Sequence, residues 1–501
     1  MSSLFNLCWS LMNNFLKKNR HLGLLALVLG ISFFFRFYNL SSLFNFSLDE
    51  EVIAFHVQRI STGKHFPAIG VNAAGTGLYL GPLYFYAAAP FFVLFNNQAV
   101  AGAVFASTFG LLTTYVMFWL GTTLFSKRVG LIMSLLHAAS LPLALLERKF
   151  FNPTPMTFVI ALIFMALHKL SQKELKSFKH SRLKYAVLIG TCLGLLFHIN
   201  LSLLWLIPFV FIWLHFTTKL SVREWIGLVI SMMLLLLSLF VFELRHDWLQ
   251  VRAFEALVQG AKNLESPETP YYWGFPFTLP AKLLLMKLSS TNISAELATC
   301  AQALKNGFHW YGFAVALASS VFVAKAFRNR SIHLLVVGAL FGLASLLLYP
   351  GRIQEYYAFS LVVPALGLIA FGLDALGKRI HFRVTIALLS VLFLANLWQL
   401  LFLKHPYGLQ VKNKAVSQVI AQTNPRNYSL HETGDSCSGY GLIYLLHQAD
   451  HAPASSYVDS IIGWLYDENN KPVDQGSARV TANFEAEKIT IKTNEAESKS
   501  F

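Results

Sequence analysis

The sequence predicts an all-α polytopic membrane protein with about eleven transmembrane helices and a small extracytoplasmic α/β region at its C-terminal end. Of its 501 residues, 55% are hydrophobic and only 13% are charged. A soluble protein of this size carries roughly 25% charged residues, so the composition excludes an ordinary soluble protein. The hydrophobic residues are grouped in stretches close to the about 20 residues that an α-helix needs to cross a bilayer.

The first apolar stretch follows a short basic segment, Lys17 to Arg20. It lacks a small-residue cleavage site, so we predict a cytoplasmic N-terminus of residues 1–20 followed by an uncleaved anchor. The membrane domain is predicted to cover residues 21–403. Its predicted spans are residues 21–38, 99–125, 129–146, 154–169, 184–199, 201–217, 225–243, 307–325, 332–349, 356–374 and 383–403.

The apolar segment 79–95 is ambiguous, and the positions of the basic residues decide how it is interpreted. If this segment does not span, the basic loops all fall on the cytoplasmic side, as the positive-inside rule requires. We therefore predict that 79–95 lies in the outer interface, within a first external loop of residues 39–98. A second long external loop is predicted at residues 244–306. The basic residues placed inside are Lys127, Arg128, those between Lys173 and Lys184, Lys219, Arg223, Lys325, Arg328, Arg330, Lys378, Arg379 and Arg383.

The formal net charge of +15 does not indicate a nucleic-acid partner. The basic residues lie in short runs between apolar segments, a pattern typical of membrane topology. The cysteines are widely scattered and show no metal-binding or redox spacing. They are Cys8, Cys192, Cys300 and Cys437.

The end of the chain differs in composition from the membrane domain. Residues 404–480 mix short apolar runs with Asn, Asp, Gly and Pro, which predicts a small extracytoplasmic α/β domain. Residues 481–501 are polar and charged, so we predict a disordered tail.

Three consecutive carboxylates, Asp49, Glu50 and Glu51, follow the first predicted span. Ionisable groups at a bilayer boundary are costly to keep and often functional, so a general base facing a lipid-borne substrate is one interpretation. The alternative is an acidic helix N-terminus capped by Ser47, since carboxylates are stabilised in the first turn.

The unusual basic residues of the membrane domain fall on the same predicted outer face. Positive-inside statistics disfavour Arg148, Lys149, Arg245 and Arg352 at outer helix ends. A phosphate group explains them, because guanidinium binds phosphate bidentately and ammonium binds it as a point charge. The alternative is that each side chain reaches the lipid headgroups or pairs locally, as Glu243 can with Arg245 or His246.

Several of these segments resemble a known family. Leu48-Asp49-Glu50 resembles the Asp-Glu motif of the GT-C glycosyltransferases, in particular the protein O-mannosyltransferase group (family 39) and the lipid A aminoarabinose transferases. Further similar segments follow in the same order, and the likeness covers about residues 20–400. These segments are Gly81 to Tyr86, with Gly81 in place of the first proline, Leu124 to Leu131, Glu147 to Pro153, and Arg352 to Tyr357 followed by Pro364-Ala365-Leu366.

The resemblance implies a GT-C fold and an inverting transfer of a hexose or pentose from a polyprenyl-phosphate sugar to an acceptor hydroxyl on the outer face. Asp49 would be the general base, and Glu50 would position an acceptor or hold a metal. Arg148 and Lys149 would bind the leaving phosphate, with Arg352 and Tyr356 as helpers. Arg245 and His246 are added to the phosphate site from topology alone.

Two departures from the family pattern bear on these roles. Glu51 lengthens the acidic motif, which leaves open which of the three carboxylates is the base. Glu355 stands where relatives often carry a basic or aromatic residue, which weakens the phosphate assignment of that loop.

A divalent metal is left open as a cofactor. Asp49, Glu50, Glu51, His56 and His65 could supply ligands, but their spacing specifies no site. His198 and Asn200 interrupt an apolar run, and a packing role is favoured over a catalytic one.

The resemblance also implies a multi-pass plasma-membrane protein with a cytoplasmic N-terminus, an extracytoplasmic C-terminus, and a protein, lipid or glycan acceptor. Two other functions are open: a lipid-linked glycan transporter or flippase, and an enzyme similar to O-antigen ligase. Transporters often carry internal repeats and ionisable groups near the midplane, neither of which this sequence shows. Ligases of that kind usually lack an Asp-Glu pair in the first loop.

Overall fold

The computed structural model of the chain describes residues 20–73, 76–172, 179–260, 284, 329–348, 355–423, 427–434, 439–456, 478–485 and 488–494. These residues form a mostly helical membrane part followed by a small α/β region. The helices of the membrane part are α1 (Arg20–Phe37), α2 (Leu40–Leu43), α3 (Leu48–Ser61), α4 (Leu83–Leu94), α5 (Val100–Leu124), α6 (Lys127–Ala138), α7 (Leu141–Leu146), α8 (Met156–Ser171), α9 (Lys179–Ile199), α10 (Leu206–Thr217), α11 (Val222–Arg245), α12 (Leu249–Gly260), α13 (Arg330–Leu348), α14 (Phe359–Arg379) and α15 (Phe382–Phe402).

Among the described residues, six helices are long and apolar enough to cross a membrane, and four shorter apolar helices accompany them. The predicted multi-pass, all-α membrane architecture is therefore confirmed. The predicted span 307–325 lies outside the described residues. The six long helices are α5, α9 from Arg182 onward, α11, α13, α14 and α15.

The predicted span 129–146 is broken in the structure. Helix α6 ends at Ala138, and α7 begins at Leu141. The hydroxyl of Ser140 accepts a hydrogen bond from the Leu143 amide at 3.2 Å, and Pro142 occupies the first turn of α7. Because an N-cap and a proline both favour a new helix start, one continuous span was the wrong prediction here.

Residues 39–98, the predicted first external loop, contain α2, α3 and α4. With 12 residues, α4 is about 18 Å long, too short to cross the bilayer upright. The interfacial position of segment 79–95 stays a prediction. The preceding residue Gly81 packs on the ring of His198 so closely that a Cβ atom would overlap Nδ1. The site of Gly81 therefore has no room for a side chain.

The membrane helices pack around a core that runs through α5, α6, α8, α9 and α14. At the crossing of α5 and α6, a Cβ atom on Gly121 would lie 2.8 Å from the Cα of Gly130. Small residues allow two helix backbones to approach this closely in a membrane.

The C-terminal region contains the helices α16 (Leu409–Thr423) and α17 (Leu442–Gln448) and the strands β1 (Tyr428–Gly434), β2 (Ser455–Ser456), β3 (Ala478–Glu485) and β4 (Lys488–Asn494). The strand order is β2-β1-β3-β4; β1 pairs in parallel with β2 and β3, and β4 is antiparallel to β3. The predicted α/β region is therefore confirmed.

Residues 481–501 are predicted to be disordered, and this prediction is wrong for residues 481–485, which form the end of β3, and for β4. Alternate residues of β3 are buried, from Ala478 to Phe484, so one face of the strand packs on the region's core. Its pairing with β1, about fifty positions earlier in the register Leu430 to Val480, stabilises it. Local composition does not reveal such a long-range partner. Residues 495–501 lie outside the described part.

The C-terminal region packs directly on the first external loop. The amide of Leu409 donates to the Phe44 carbonyl at 2.9 Å, and the hydroxyl of Tyr444 donates to the Asn97 carbonyl at 2.7 Å. Helix α16 contacts α2, and α17 contacts α3. The helix that carries the three carboxylates is therefore covered by the C-terminal region.

Candidate active site

Glu50 caps the helix that it belongs to. Its Oε2 atom accepts hydrogen bonds from the Ser47 amide at 3.0 Å and from the Ser47 hydroxyl at 2.5 Å. With the return bond from the backbone of Glu50 to the Ser47 side chain, this is a complete capping box. The capping alternative weighed for the acidic cluster is therefore what the structure shows for Glu50.

Asp49 and Lys149 both act electrostatically on Glu50. Glu50 is 2% exposed, and this burial raises the pKa of its carboxyl group. Lys149 opposes the rise in pKa, whereas Asp49 adds to it. Asp49 itself is exposed at the start of α3. The exposed Asp49 and the basic Lys149 are therefore both close enough to Glu50 to change its pKa.

Glu51 is directed away from this cluster. It is fully buried, and its Oε1 atom accepts a hydrogen bond from the Tyr444 amide of α17 at 2.7 Å. The three consecutive carboxylates therefore have three different environments: solvent for Asp49, a capping box for Glu50 and the C-terminal region for Glu51.

Arg148 directly precedes Lys149 in sequence, and its side chain is buried, with 1% exposed. Its Nη2 atom donates to the carbonyls of Phe35 and Tyr38 at 2.5 and 3.0 Å, at the end of α1. Its Nε and Nη1 atoms have no hydrogen-bond partner among the described residues. Burial and the nearby Arg36 lower the pKa of Arg148 to about 9, so the guanidinium is still charged at neutral pH.

Lys149 and Tyr356 meet at the ring of Phe151. The Nζ atom of Lys149 is 5.5 Å from the centroid of that ring, and Tyr356 packs edge-on against it at 5.5 Å. Lys149 also acts on His405, where burial first, then Lys412 and Lys149, lower the pKa to about 3. Lys149 therefore acts on both Glu50 and His405, and it shares the ring of Phe151 with Tyr356.

A buried ionic network supports this cluster, and sequence reasoning missed it. Oε2 of Glu147 accepts from Nε and Nη2 of Arg36 at 2.8 and 2.5 Å, and Oε1 accepts from Nε2 of His137 at 3.0 Å. Arg36 also donates to the carbonyls of His137 and Ala138, which the break before α7 leaves without helical partners. The available signal was that Arg36 is the only charged residue in the predicted span 21–38.

With this geometry established, the chain was compared with known proteins. No family model and no curated protein sequence matches it. Several solved structures do, among them the following two. The archaeal oligosaccharyltransferase AglB from Archaeoglobus fulgidus, in complex with an inhibitory peptide and a dolichol-phosphate, matches with a TM-score of 0.51 and 12% identity over 93% of this chain and 70% of that chain. ArnT from Cupriavidus metallidurans, bound to undecaprenyl phosphate, matches with a TM-score of 0.51 and 11% identity over 92% of both chains.

The chain has the GT-C fold. The resemblance inferred from the sequence motifs is thus confirmed at the level of the fold. The likeness extends over more than nine-tenths of the chain and includes its C-terminal region.

Within this GT-C fold, Arg245 and His246 are not part of the cluster. Both are exposed at the end of α11, and the ring of His246 stacks on Phe242 with 4.0 Å between centroids. None of their contacts with described residues reaches Asp49 or Lys149. The nearby Glu243 instead accepts from the Gln250 amide at the start of α12, at 3.2 Å. The assignment of Arg245 and His246 to a phosphate stays a prediction.

Arg352 lies outside the described residues, as does the side chain of Glu355. Their predicted roles therefore stay predictions as well.

The candidate metal ligands do not form a common site in the described structure. Glu51 faces α17, and the ring of His56 stacks on Phe85 with 4.8 Å between centroids. No group of three or more His, Cys, Asp or Glu side chains converges in the described part of the chain.

His198 has the packing role that the sequence favoured. Its Nε2 atom donates to the Leu235 carbonyl of α11 at 2.8 Å, and its Nδ1 atom accepts from the Leu83 amide at 3.3 Å. It therefore joins two membrane helices to the start of α4.

Proposed function

We propose that this chain is a membrane glycosyltransferase. It transfers a hexose or pentose from a polyprenyl-phosphate donor to an acceptor hydroxyl on the extracytoplasmic face, with inversion at the anomeric carbon. The observation that carries this proposal is the arrangement at the start of α3, where Asp49 is exposed and both Asp49 and Lys149 act on the buried Glu50.

Asp49 is the proposed general base. A base must reach the acceptor proton, and base catalysis typically contributes about 10²–10⁴-fold to the rate. Glu50 and Glu51 are both buried and hydrogen-bonded within the protein, at Ser47 and Tyr444. The sequence left the base open among three carboxylates, and these contacts favour the first of them. Glu50 then serves to hold the first turn of α3.

Arg148 and Lys149 are proposed to stabilise the leaving phosphate. The Nε and Nη1 groups of Arg148 have no hydrogen-bond partner among the described residues. Lys149 acts electrostatically on both Glu50 and His405. Fixed positive groups stabilise the negative charge that develops on a leaving phosphate, and they do so most strongly where water is excluded. Tyr356 is proposed to assist from the other side of Phe151.

The choice of donor class is supported by the two structural neighbours. One is in complex with a dolichol-phosphate and the other is bound to undecaprenyl phosphate. Both ligands are polyprenyl phosphates, whose phosphate lies at the membrane surface while the tail lies in lipid. Charge parity further supports a plasma-membrane protein with a cytoplasmic N-terminus and an extracytoplasmic C-terminus.

Glycosyl transfer by the purified protein in detergent tests the proposal. The assay uses a panel of polyprenyl-phosphate sugars and compares the wild type with Asp49→Asn and Glu50→Gln. Glu485→Gln, which changes an exposed carboxylate at the end of β3, is the matched control. We expect Asp49→Asn to abolish transfer or donor hydrolysis and the control to keep it.

Two outcomes would contradict the proposal. Loss of turnover only in Glu50→Gln would move the base by one position. No turnover with any donor, together with unchanged polyprenyl-phosphate binding in both variants, would favour a transporter.

A further inference from the structure

Two buried carboxylates join the C-terminal region to the helix that carries Asp49. Glu51 comes from α3 and Glu432 from β1, and they are 0% and 6% exposed. Both accept hydrogen bonds from the start of α17. The Leu442 amide donates to Oε1 of Glu432 at 3.2 Å, and the Tyr444 amide donates to Oε1 of Glu51 at 2.7 Å.

A buried lysine completes this contact. Lys412 of α16 is 0% exposed, and its Nζ atom donates to the Phe46 carbonyl at 2.6 Å and to the Gly439 carbonyl at 3.3 Å. It therefore joins the loop before α3 to the loop before α17. The Oε2 atoms of Glu51 and Glu432 have no hydrogen-bond partner among the described residues. Buried carboxylates and ammonium groups are costly unless they are held together, so opening this contact exposes all three groups at once.

Aromatic side chains pack tightly around the polar contact. The ring of Tyr444 lies 5.7 Å from that of Phe46 and 4.9 Å from that of Phe55. Gly441, with φ at +87°, lies so close to the Phe46 carbonyl that a Cβ atom would overlap it. The two surfaces are complementary in shape, and the start of α3 is fixed on this side.

Asp49 and Glu51 lie about 200° apart around the axis of α3, since successive residues of an α-helix are separated by about 100°. One side of the first turn is therefore bound to α17 while the other faces the candidate site. A misplacement of about 1 Å at a reacting group costs roughly 10²-fold in rate.

We propose that Glu51 is a positioning residue, which holds the first turn of α3 against the C-terminal region and thereby sets the position of Asp49. The C-terminal region then contributes to catalysis by fixing the position of Asp49. This inference rests on the proposed function, because the role of Asp49 is itself proposed. Burial and the neighbouring Glu432 raise the pKa of Glu51 well above its ordinary value, which fits a group held in a dry contact.

The test uses the full-length protein with two measurements. Amide hydrogen exchange of Leu442–Gln448 reports whether the C-terminal region stays bound to α3, and steady-state transfer gives kcat and the KM for the donor. The variants are Glu51→Ala, which removes the contact, and Glu51→Gln, which keeps an acceptor for the Tyr444 amide and adds a donor facing Glu432.

We expect Glu51→Ala to accelerate exchange in α17 and to lower kcat roughly 10²-fold, with the donor KM unchanged because Arg148 and Lys149 are untouched. Glu51→Gln is expected to restore both values to within about threefold of the wild type. Gly441→Ala, on the opposite surface, should reproduce the effect of Glu51→Ala without changing a charge. It also serves as the test if Glu51→Ala does not fold.

Faster exchange with full kcat in Glu51→Ala or Gly441→Ala would show that the contact does not position Asp49. Unchanged exchange in both would show that Glu51 does not hold the region. If the wild type transfers no sugar, the proposed function has failed and the positioning role fails with it, whatever the exchange measurement shows. If Asp49→Asn abolishes transfer and Glu51→Ala does not, only the positioning role is wrong.

Discussion

Arg36 and Glu147 form a buried ion pair across 111 positions of sequence, with Nε and Nη2 of the arginine donating to the same carboxylate oxygen. The pair joins α1 to the segment that immediately precedes Arg148 and Lys149. It therefore fixes the backbone from which both proposed phosphate-binding side chains extend.

Glu147→Ala is expected to destabilise the protein by roughly 3–5 kcal/mol, because it leaves the Arg36 guanidinium buried and unpaired. Thermal unfolding in detergent measures this loss. Lys378→Ala is the control, since Lys378 forms an ion pair with Asp374 but its side chain is 62% exposed. Its loss should cost about 0–1 kcal/mol, because the lysine is exposed and Arg128 still pairs with the buried Asp374 carboxylate. Equal effects of the two substitutions would contradict the role given to the buried pair.

Gly81→Ala is expected to destabilise the protein by about 1–3 kcal/mol, because the new methyl group overlaps the ring of His198. The matched control is Gly30→Ala in α1, where a Cβ atom would meet no other atom within 4 Å. That substitution should be neutral or stabilise the helix by up to about 1 kcal/mol. Comparison of the two melting temperatures in the same detergent checks the prediction, which a tolerated Gly81→Ala would overturn.

Lys149→Met is expected to lower kcat by roughly 10²-fold through loss of a charge at the leaving phosphate. Its melting temperature should change little, since the aliphatic stem still packs on Phe151. Lys488→Met, on the exterior strand β4, is the control for loss of one positive charge. Arg245→Ala should have a smaller effect than Lys149→Met, because Arg245 is exposed and contacts neither Asp49 nor Lys149. The reverse order would place the phosphate near the end of α11.

The attachment of the C-terminal region is expected to weaken as pH rises through about 7. Burial raises the pKa of Glu432 from its ordinary value to about 7, while the Leu442 amide and Lys412 oppose the rise. Because the pKa is higher in the folded state, the protonated form is favoured there. The stabilisation is full at acidic pH and is lost as the carboxyl group ionises.

Amide exchange of α17, corrected for the intrinsic effect of pH on exchange, measures this loss. Two further charged side chains among the described residues act on this contact: Glu51, which faces the same helix start, and Lys412. Glu432→Gln cannot titrate at this position, so its corrected exchange should rise less steeply with pH. An identical profile in the wild type and this variant would show that Glu432 is not the titrating group.

Features governed by local sequence could be predicted. Apolar length located the long helices, and the order of weak motifs identified the GT-C fold. The break before α7 also has a local signal, the N-cap residue Ser140 followed by Pro142, but the continuous apolar stretch predicted a single span instead. Asp49 and Lys149 each lie next to the end of a predicted span, and in the structure both act on Glu50.

Features that depend on distant partners could not be predicted. The contact of Glu51 with Tyr444 joins residues 393 positions apart, and nothing near Glu51 in sequence indicates it. The same holds for Arg36 with Glu147 and for β3 with β1. In each case the burial of a charge or strand depends on a surface formed elsewhere in the chain, which composition and periodicity do not encode.

The connection of the sheet has a consequence for biosynthesis. Helix α17 lies in sequence between β1 and β3, which pair with each other, and β4 closes the sheet at Asn494. A nascent chain that ends after α15 therefore contains α3 but lacks the C-terminal region that covers Glu51. The surface that covers Glu51 is completed only after synthesis has passed β4. Products truncated before β3, whether by premature termination or by proteolysis, should insert in the membrane and yet be inactive.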